Sequence, residues 1–135
     1  MNSNLKGNIA LGKAISYFAT QGYIISIPLN DSQCYDLIIE KNGKVQLVQV
    51  KYTNQQLNSG NYCCRLQVCN KQTTYYTLNN TYCDLLFCYC GNGDAYLIPV
   101  SRIENTNQIT LFKQKSKYTP DKIFDTSQFY IANLI

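Results

Sequence analysis

The sequence predicts an α/β (α+β) domain in which a mixed central sheet is flanked by helices and carries a β-hairpin. Three observations carry that expectation. Leu11, Ala14, Ile15 and Phe18 recur at helical spacing near the start of the chain. Asn42-Gly43 stands between two strand-like runs, the strongest short signal for a two-residue type I′ turn. The run Tyr82 to Cys90 is apolar enough for a central strand buried on both faces. At 135 residues, the whole of 1–135 reads as a single domain with one core.

Taken in order, a helix over Gly7 to Thr20 leads through Gln21-Gly22-Tyr23 into a strand, Ile24 to Pro28. After a loop, Cys34 to Glu40 and Val45 to Lys51 read as two strands joined by Lys41-Asn42-Gly43-Lys44. A two-residue turn at Asn42-Gly43 fixes the register. Lys41 pairs with Lys44, Glu40 with Val45, Ile38 with Leu47, and Asp36 with Gln49. Side chains directly opposite in an antiparallel pair have Cβ atoms roughly 4.5–5.5 Å apart. Lys51 lies two residues beyond Gln49, so the pleat puts it on the same face. The turn therefore assembles an acid, an amide and a lysine at one spot.

Further along, Tyr62 to Cys69 alternates, with Cys64, Leu66 and Val68 on an apolar face and Cys63, Arg65, Gln67 and Cys69 on the other. Gln72 to Asn79 reads as a short helix or irregular turn. Gly91-Asn92-Gly93-Asp94 turns Tyr82–Cys90 into its hairpin partner, Ala95 to Val100. The tail residues Ile123, Phe124, Phe129, Tyr130, Ile131 and Leu134 either cover the core or form a subunit contact. The chain shows no internal repeat, linker or low-complexity segment.

Composition narrows the chemistry. There is no histidine, which removes hydrolysis and proteolysis that depend on an imidazole base. Seven cysteines without a Cys-x-x-Cys pair favour buried reduced thiols over a zinc site. No apolar run spans a bilayer and the N-terminus lacks a signal peptide's apolar stretch, so a cytoplasmic protein without a membrane partner is expected. The net charge of +4 is modest. Roughly a fifth of the residues are Asn or Gln, well above ordinary usage. Amides suit hydrogen-bond readout of base edges, whereas codon bias in an A·T-rich genome yields the same composition without function.

An aspartate on one strand followed by acid-x-lysine on the next resembles the PD-(D/E)XK nuclease core of restriction endonucleases and Holliday-junction resolvases. Here Asp36 and Gln49-Val50-Lys51 fill that pattern, behind the helix and strand the family places first. Gln in the second acidic position, on so short a chain, is similar to the bacterial (cyanobacterial) group I intron-encoded homing endonucleases of this fold. The match covers about the first 55 residues.

The resemblance implies a restriction endonuclease-like core. It makes Asp36 the metal-binding carboxylate, the Val50 carbonyl a backbone ligand, and Lys51 the group that orients the attacking water. Gln49 stands where most of the family has Asp or Glu. Its amide oxygen can ligate a hard cation but brings no negative charge, so metal affinity is expected to be weak. Mg²⁺ is the implied cofactor, with Ca²⁺ or Mn²⁺ as substitutes. Leu11 occupies the place where family members often supply a further Glu. One reading is a lost carboxylate that impairs cutting; the other is a member of the helix's buried stripe.

One localised amide cluster suits DNA recognition: Asn54, Gln55, Gln56 and Asn61, then Arg65, Gln67 and Lys71. An Arg/Gln-faced ribbon entering the major groove would read bases, Arg65 taking guanine and Gln67 or Gln55 adenine. An ordinary solvated hairpin is the alternative. Lys113, Lys115 and Lys117 alternate, and in an extended segment would track phosphates together. A solvated edge strand protected by lysines is the alternative.

The sequence thus leads to a site-specific, Mg²⁺-dependent endonuclease of double-stranded DNA, of the intron-homing kind. It is expected to be at least a homodimer, because one such site cuts one strand, and a tetramer if a long site is read. A junction resolvase or repair nickase of the same fold is the rival enzyme. A DNA-binding module whose catalysis has lapsed is the rival without one.

Overall fold

The computed structural model describes residues 1–30, 33–69, 75–77 and 83–131. Helix α1 runs Ser3–Thr20, four residues longer at its start than the apolar spacing predicts. Asn2 caps it: its side-chain oxygen accepts from the Leu5 N–H at 2.9 Å, satisfying a donor that the first turn leaves unpaired. Gly22, at φ +87°, takes the chain out of the helix.

The strands are β1 (Ile24–Ser26), β2 (Leu37–Lys41), β3 (Lys44–Thr53), β4 (Tyr62–Arg65), β5 (Gln67–Cys69), β6 (Tyr75–Thr77), β7 (Leu85–Cys90), β8 (Ala95–Pro99), β9 (Gln108–Leu111) and β10 (Tyr130–Ile131). Six of them form one sheet in the order β1-β2-β3-β7-β8-β10. The central pair β3–β7 is parallel and every other pair in that sheet is antiparallel, so the sheet is mixed as expected. Strands β4 and β9 form a two-stranded ribbon, and β5 and β6 another.

Both faces of the sheet are covered, by different means. Ala10, Ala14 and Phe18 lie buried along one stripe of α1 and meet Leu37, Ile39, Val48 and Phe87 on the sheet. The small residues at Ala10 and Ala14 let the helix approach, and Phe18 sets its ring edge-on to Tyr23. The other face carries Leu86, Cys88, Cys90, Tyr96 and Ile98, covered by Cys64, Leu66, Ile109 and Leu111 from the β4–β9 side. Among the described residues α1 is the α-helical cover, while two short 3₁₀ helices, Val100–Arg102 and Thr126–Phe129, add Val100 and Phe129 to the ribbon-side core. Strand β7 contributes alternate residues to both cores, as its continuous apolar run predicts.

Several local expectations change. Tyr62–Cys69 is not one strand but two, β4 and β5, with different partners. Cys63 and Cys64 are both buried, so the alternation into one apolar and one polar face fails at Cys63, although Arg65 and Gln67 are exposed. The reason is that β4 is covered on both sides near Tyr62 and open only toward Arg65. Within the expected helix or turn Gln72–Asn79, Tyr75–Thr77 is a strand pairing with β5; the rest of that segment and Lys71 lie outside the described residues. Lys113, Lys115 and Lys117 do not form an extended row. They follow the end of β9 in bends and turns, where Asp94 holds Lys113 at 3.2 Å and Asp121 holds Lys115 at 3.9 Å. Lys117 lies over the Tyr118 ring.

In the tail, Phe124, Phe129 and Tyr130 pack on the ribbon-side core and Ile131 on the helix-side core; Leu134 lies outside the described residues. No described helix is long and apolar enough to cross a membrane.

Candidate active site

The β2–β3 hairpin adopts the register the Asn-Gly turn dictates. Lys41 pairs with Lys44, Glu40 with Val45, Ile38 with Leu47 and Leu37 with Val48. Asn42 and Gly43 both have positive φ, +53° and +77°, as a type I′ turn requires. The ladder ends at Leu37–Val48; beyond it the Asp36 N–H donates to the Val48 carbonyl at 2.8 Å, and Asp36 meets Gln49 through their side chains.

Three hydrogen bonds then define the spot. The Gln49 side-chain amide donates through Nε2 to Asp36 Oδ2 at 2.9 Å and to the Val50 carbonyl at 3.3 Å. The Val50 N–H donates to the same Asp36 Oδ2 at 2.8 Å. Both partners of Nε2 are acceptors when Asp36 is ionised, which fixes the amide with its nitrogen toward them. Burial pushes the Asp36 carboxyl above the usual carboxylate range, while the Val50 N–H and the Lys51 ammonium hold it down. Lys51 extends from the same strand and donates through Nζ to the Gln67 carbonyl of β5 at 3.2 Å.

The oxygen donors fit a hard divalent cation: the Asp36 carboxylate and the Val50 carbonyl, with the Gln49 amide oxygen as a third. Gln49 now presents nitrogen to those oxygens, so its amide must turn over before it can ligate. The set carries one formal negative charge. No group of three or more His, Cys, Asp or Glu able to hold a metal occurs among the described residues. Burial drives the thiols of Cys83 and Cys90 up to about 12, which keeps them protonated at neutral pH. Leu11 is half-buried in the helix-side core, where its helical spacing puts it.

Lys51 also lines an open cleft of about 340 Å³ at the end of β3, together with Lys6, Tyr52, Asn54, Gln55 and Arg65. Three of the predicted base readers thus gather beside Lys51. Gln56 and Asn61 line a different cleft, next to Asp94 and Lys113. The Gln56 side chain donates to the Gly60 carbonyl and that of Asn61 to Ser59 Oγ, so both brace the 54–61 loop. Asn54 is held close to Gly91, where an added Cβ would come within 2.1 Å of its Oδ1.

Lys6 escaped sequence reasoning, because Met1 to Lys6 reads as a polar lead-in to the helix. Asn2, a strong N-cap type three residues before Leu5, was the available signal. Asp84 was missed as well: its carboxylate accepts from the Leu47 N–H at 2.8 Å and ties the entry of β7 to β3.

With this geometry stands the comparison with known proteins. The family model of the PD-(D/E)XK endonucleases matches residues 1–131, and the chain belongs to that family. Its fold is similar to that of a bacterial homing endonuclease, I-Ssp6803I, with a TM-score of 0.77 and 22% sequence identity over 96% of this chain and 89% of that one. None of the curated proteins matches the chain.

Proposed function

We propose that this PD-(D/E)XK endonuclease is a divalent-cation-dependent, site-specific enzyme that cuts double-stranded DNA, of the homing type. The observation that supports it most is the convergence of Asp36, the Val50 carbonyl, Gln49 and Lys51 at one end of the β2–β3 hairpin. Asp36, Val50 and Gln49 would hold Mg²⁺, with Mn²⁺ or Ca²⁺ as substitutes. When bound, the cation supplies positive charge at the scissile phosphate and lowers the pKa of water.

The chain's own groups do the remaining work. Lys51 steers the attacking water into line with the leaving oxygen and faces the negative charge that grows on the phosphate. Its hydrogen bond to the Gln67 carbonyl sets the ammonium between the acid and the β4–β5 segment. Arg65, Gln55 and Gln67 are the base readers in this scheme, and exposed positions on adjoining segments suit that role. Two copies related by a two-fold axis cut the two strands, and a tetramer accommodates a long site.

A lapsed DNA-binding module is the second reading, favoured by the neutral residues Gln49 and Leu11. Incubation with a randomised duplex library and Mg²⁺, followed by sequencing of the ends, separates the two. Ends clustered on one two-fold-related site support the homing enzyme. Scattered or branch-directed cuts favour a resolvase. Cutting only by Leu11→Glu means that Leu11 disables the site, and no cutting by either form leaves a binding protein.

A further inference from the structure

We propose that Lys6 is a positioning residue that grips the phosphate backbone of the DNA strand beside the scissile phosphate. The inference rests on the nuclease reading of the site and adds a residue and an element to it. Lys51 points to the ribbon side of the sheet, with Gln49, whereas Tyr52 packs with the helix-side core. Lys6 comes from the first turns of α1, and its Nζ lies 5.9 Å from the centre of the Tyr52 ring. The two lysines therefore approach from opposite faces of the sheet and meet at the end of β3, in the cleft they share with Arg65.

The chemistry of that cleft is one-sided. Three cations line it, with Asn54 and Gln55 as neutral hydrogen-bonding groups, and among the described residues no carboxylate does. By contrast, the cleft holding Lys113 includes Asp94, which pairs with that lysine at 3.2 Å. At the β2–β3 turn, Lys41 is drawn away by the Gln21 carbonyl at 2.7 Å. The Tyr52 ring orients the Lys6 stem without cancelling its charge, as an aromatic face does for an ammonium. A further cation in the cleft that Lys51 lines suits a polyanion that runs across the end of β3. A strand whose scissile phosphate sits at Lys51 would bring a neighbouring phosphate to Lys6. Such a contact adds affinity that depends on salt and not on base sequence.

The test measures binding by fluorescence anisotropy over a range of salt concentrations, without divalent cation so that no cutting competes. The probes are a duplex carrying the cleavage site and one of scrambled sequence. For Lys6→Ala, the slope of log affinity against log salt should become shallower by about 0.9, the loss of one phosphate contact. Affinity should fall by the same factor on both duplexes, Lys6→Arg should restore both, and Lys44→Ala at the remote turn should change neither. An unchanged slope for Lys6→Ala, with melting temperature intact and wild-type binding normal, overturns the Lys6 contact alone. Loss confined to the cognate duplex also overturns it, since a phosphate contact is blind to sequence. Failure of the wild-type chain to bind either duplex overturns the nuclease reading and this contact with it.

Discussion

Gln49 donates its side-chain amide to Asp36 at 2.9 Å, across the two strands of one hairpin. In the family's acid-x-lysine pattern a second carboxylate would stand there, repelling the first unless a cation lay between them. The amide removes that repulsion, and its nitrogen supplies the positive end of a dipole to both Asp36 and the Val50 carbonyl.

Gln49→Glu should therefore invert the balance. Without divalent cation, two carboxylates in hydrogen-bond range should lower the melting temperature. With Mg²⁺ the variant should gain more in melting temperature than wild type, because ligand binding stabilises by mass action. Thermal unfolding with EDTA and with Mg²⁺ checks both halves. Equal Mg²⁺ responses would remove Gln49 from the cation site.

Asp36 should be costly to the fold at neutral pH. Its pKa is raised, chiefly by burial, so the folded state prefers the neutral acid. Its stabilising contribution is fully present below the ordinary carboxylate pKa and is lost as pH rises through the raised value. Asp36→Asn keeps an acceptor for the Val50 N–H while losing the charge. It should melt no lower than wild type at neutral pH in EDTA, while cleaving nothing. A clear drop in melting temperature would show that the carboxylate stabilises the site.

In the proposed mechanism the cation binds ionised Asp36, so protons and Mg²⁺ compete for that carboxylate. In EDTA, a carboxyl ¹³C titration should place Asp36 above the ordinary aspartate range, because burial favours the neutral acid. Mg²⁺ should lower that midpoint, and the acid limb of single-turnover cutting should move down as Mg²⁺ is raised. A midpoint in EDTA at or below the usual value, or an acid limb that ignores Mg²⁺, would contradict this.

Phe18 is the keystone of the helix–sheet contact, fully buried against Tyr23 and Phe87. Phe18→Ala should cost about 3–5 kcal/mol by urea unfolding, through lost transfer energy and the cavity left behind. A loss under about 1 kcal/mol would mean that α1 repacks on the sheet.

Arg65 is exposed on β4 and lines the cleft beside Lys51. Arg65→Ala should relax base preference at one position in each half-site, at a cost of about 1–3 kcal/mol. Unchanged preference among sequenced cut ends would take this strand out of the groove.

What could be read in the sequence was what local geometry alone decides. The Asn42-Gly43 turn has a fixed length, so every pair from Lys41–Lys44 to Leu37–Val48 follows by counting. The double-sided burial of β7 follows from its unbroken apolar run. Contacts made at long range were not legible. Nothing in the order of residues says that Lys51 bonds the Gln67 backbone, or that β4 and β5 part company at Leu66 and take separate partners. Cys63 looked surface-facing because alternation assumes one wet face, and β4 lacks one at that residue. The lysines at 113, 115 and 117 alternate in sequence, yet acids from elsewhere in the chain engage two of them and the backbone bends between. Lys6 gained its place only when α1 was laid against Tyr52.

The most direct test of the central claim compares wild type with Lys51→Ala and Asp36→Ala on one cleavable duplex, measuring cutting and affinity in the same samples. Both substitutions should abolish Mg²⁺-dependent cutting while leaving most of the DNA affinity, because in the proposed mechanism the two residues act at the scissile phosphate while Arg65, Gln55 and Gln67 supply the base contacts. Cutting that survives either substitution would contradict the assignment of this site. Collapse of binding in Lys51→Ala would show that Lys51 positions the duplex and is not part of the chemistry.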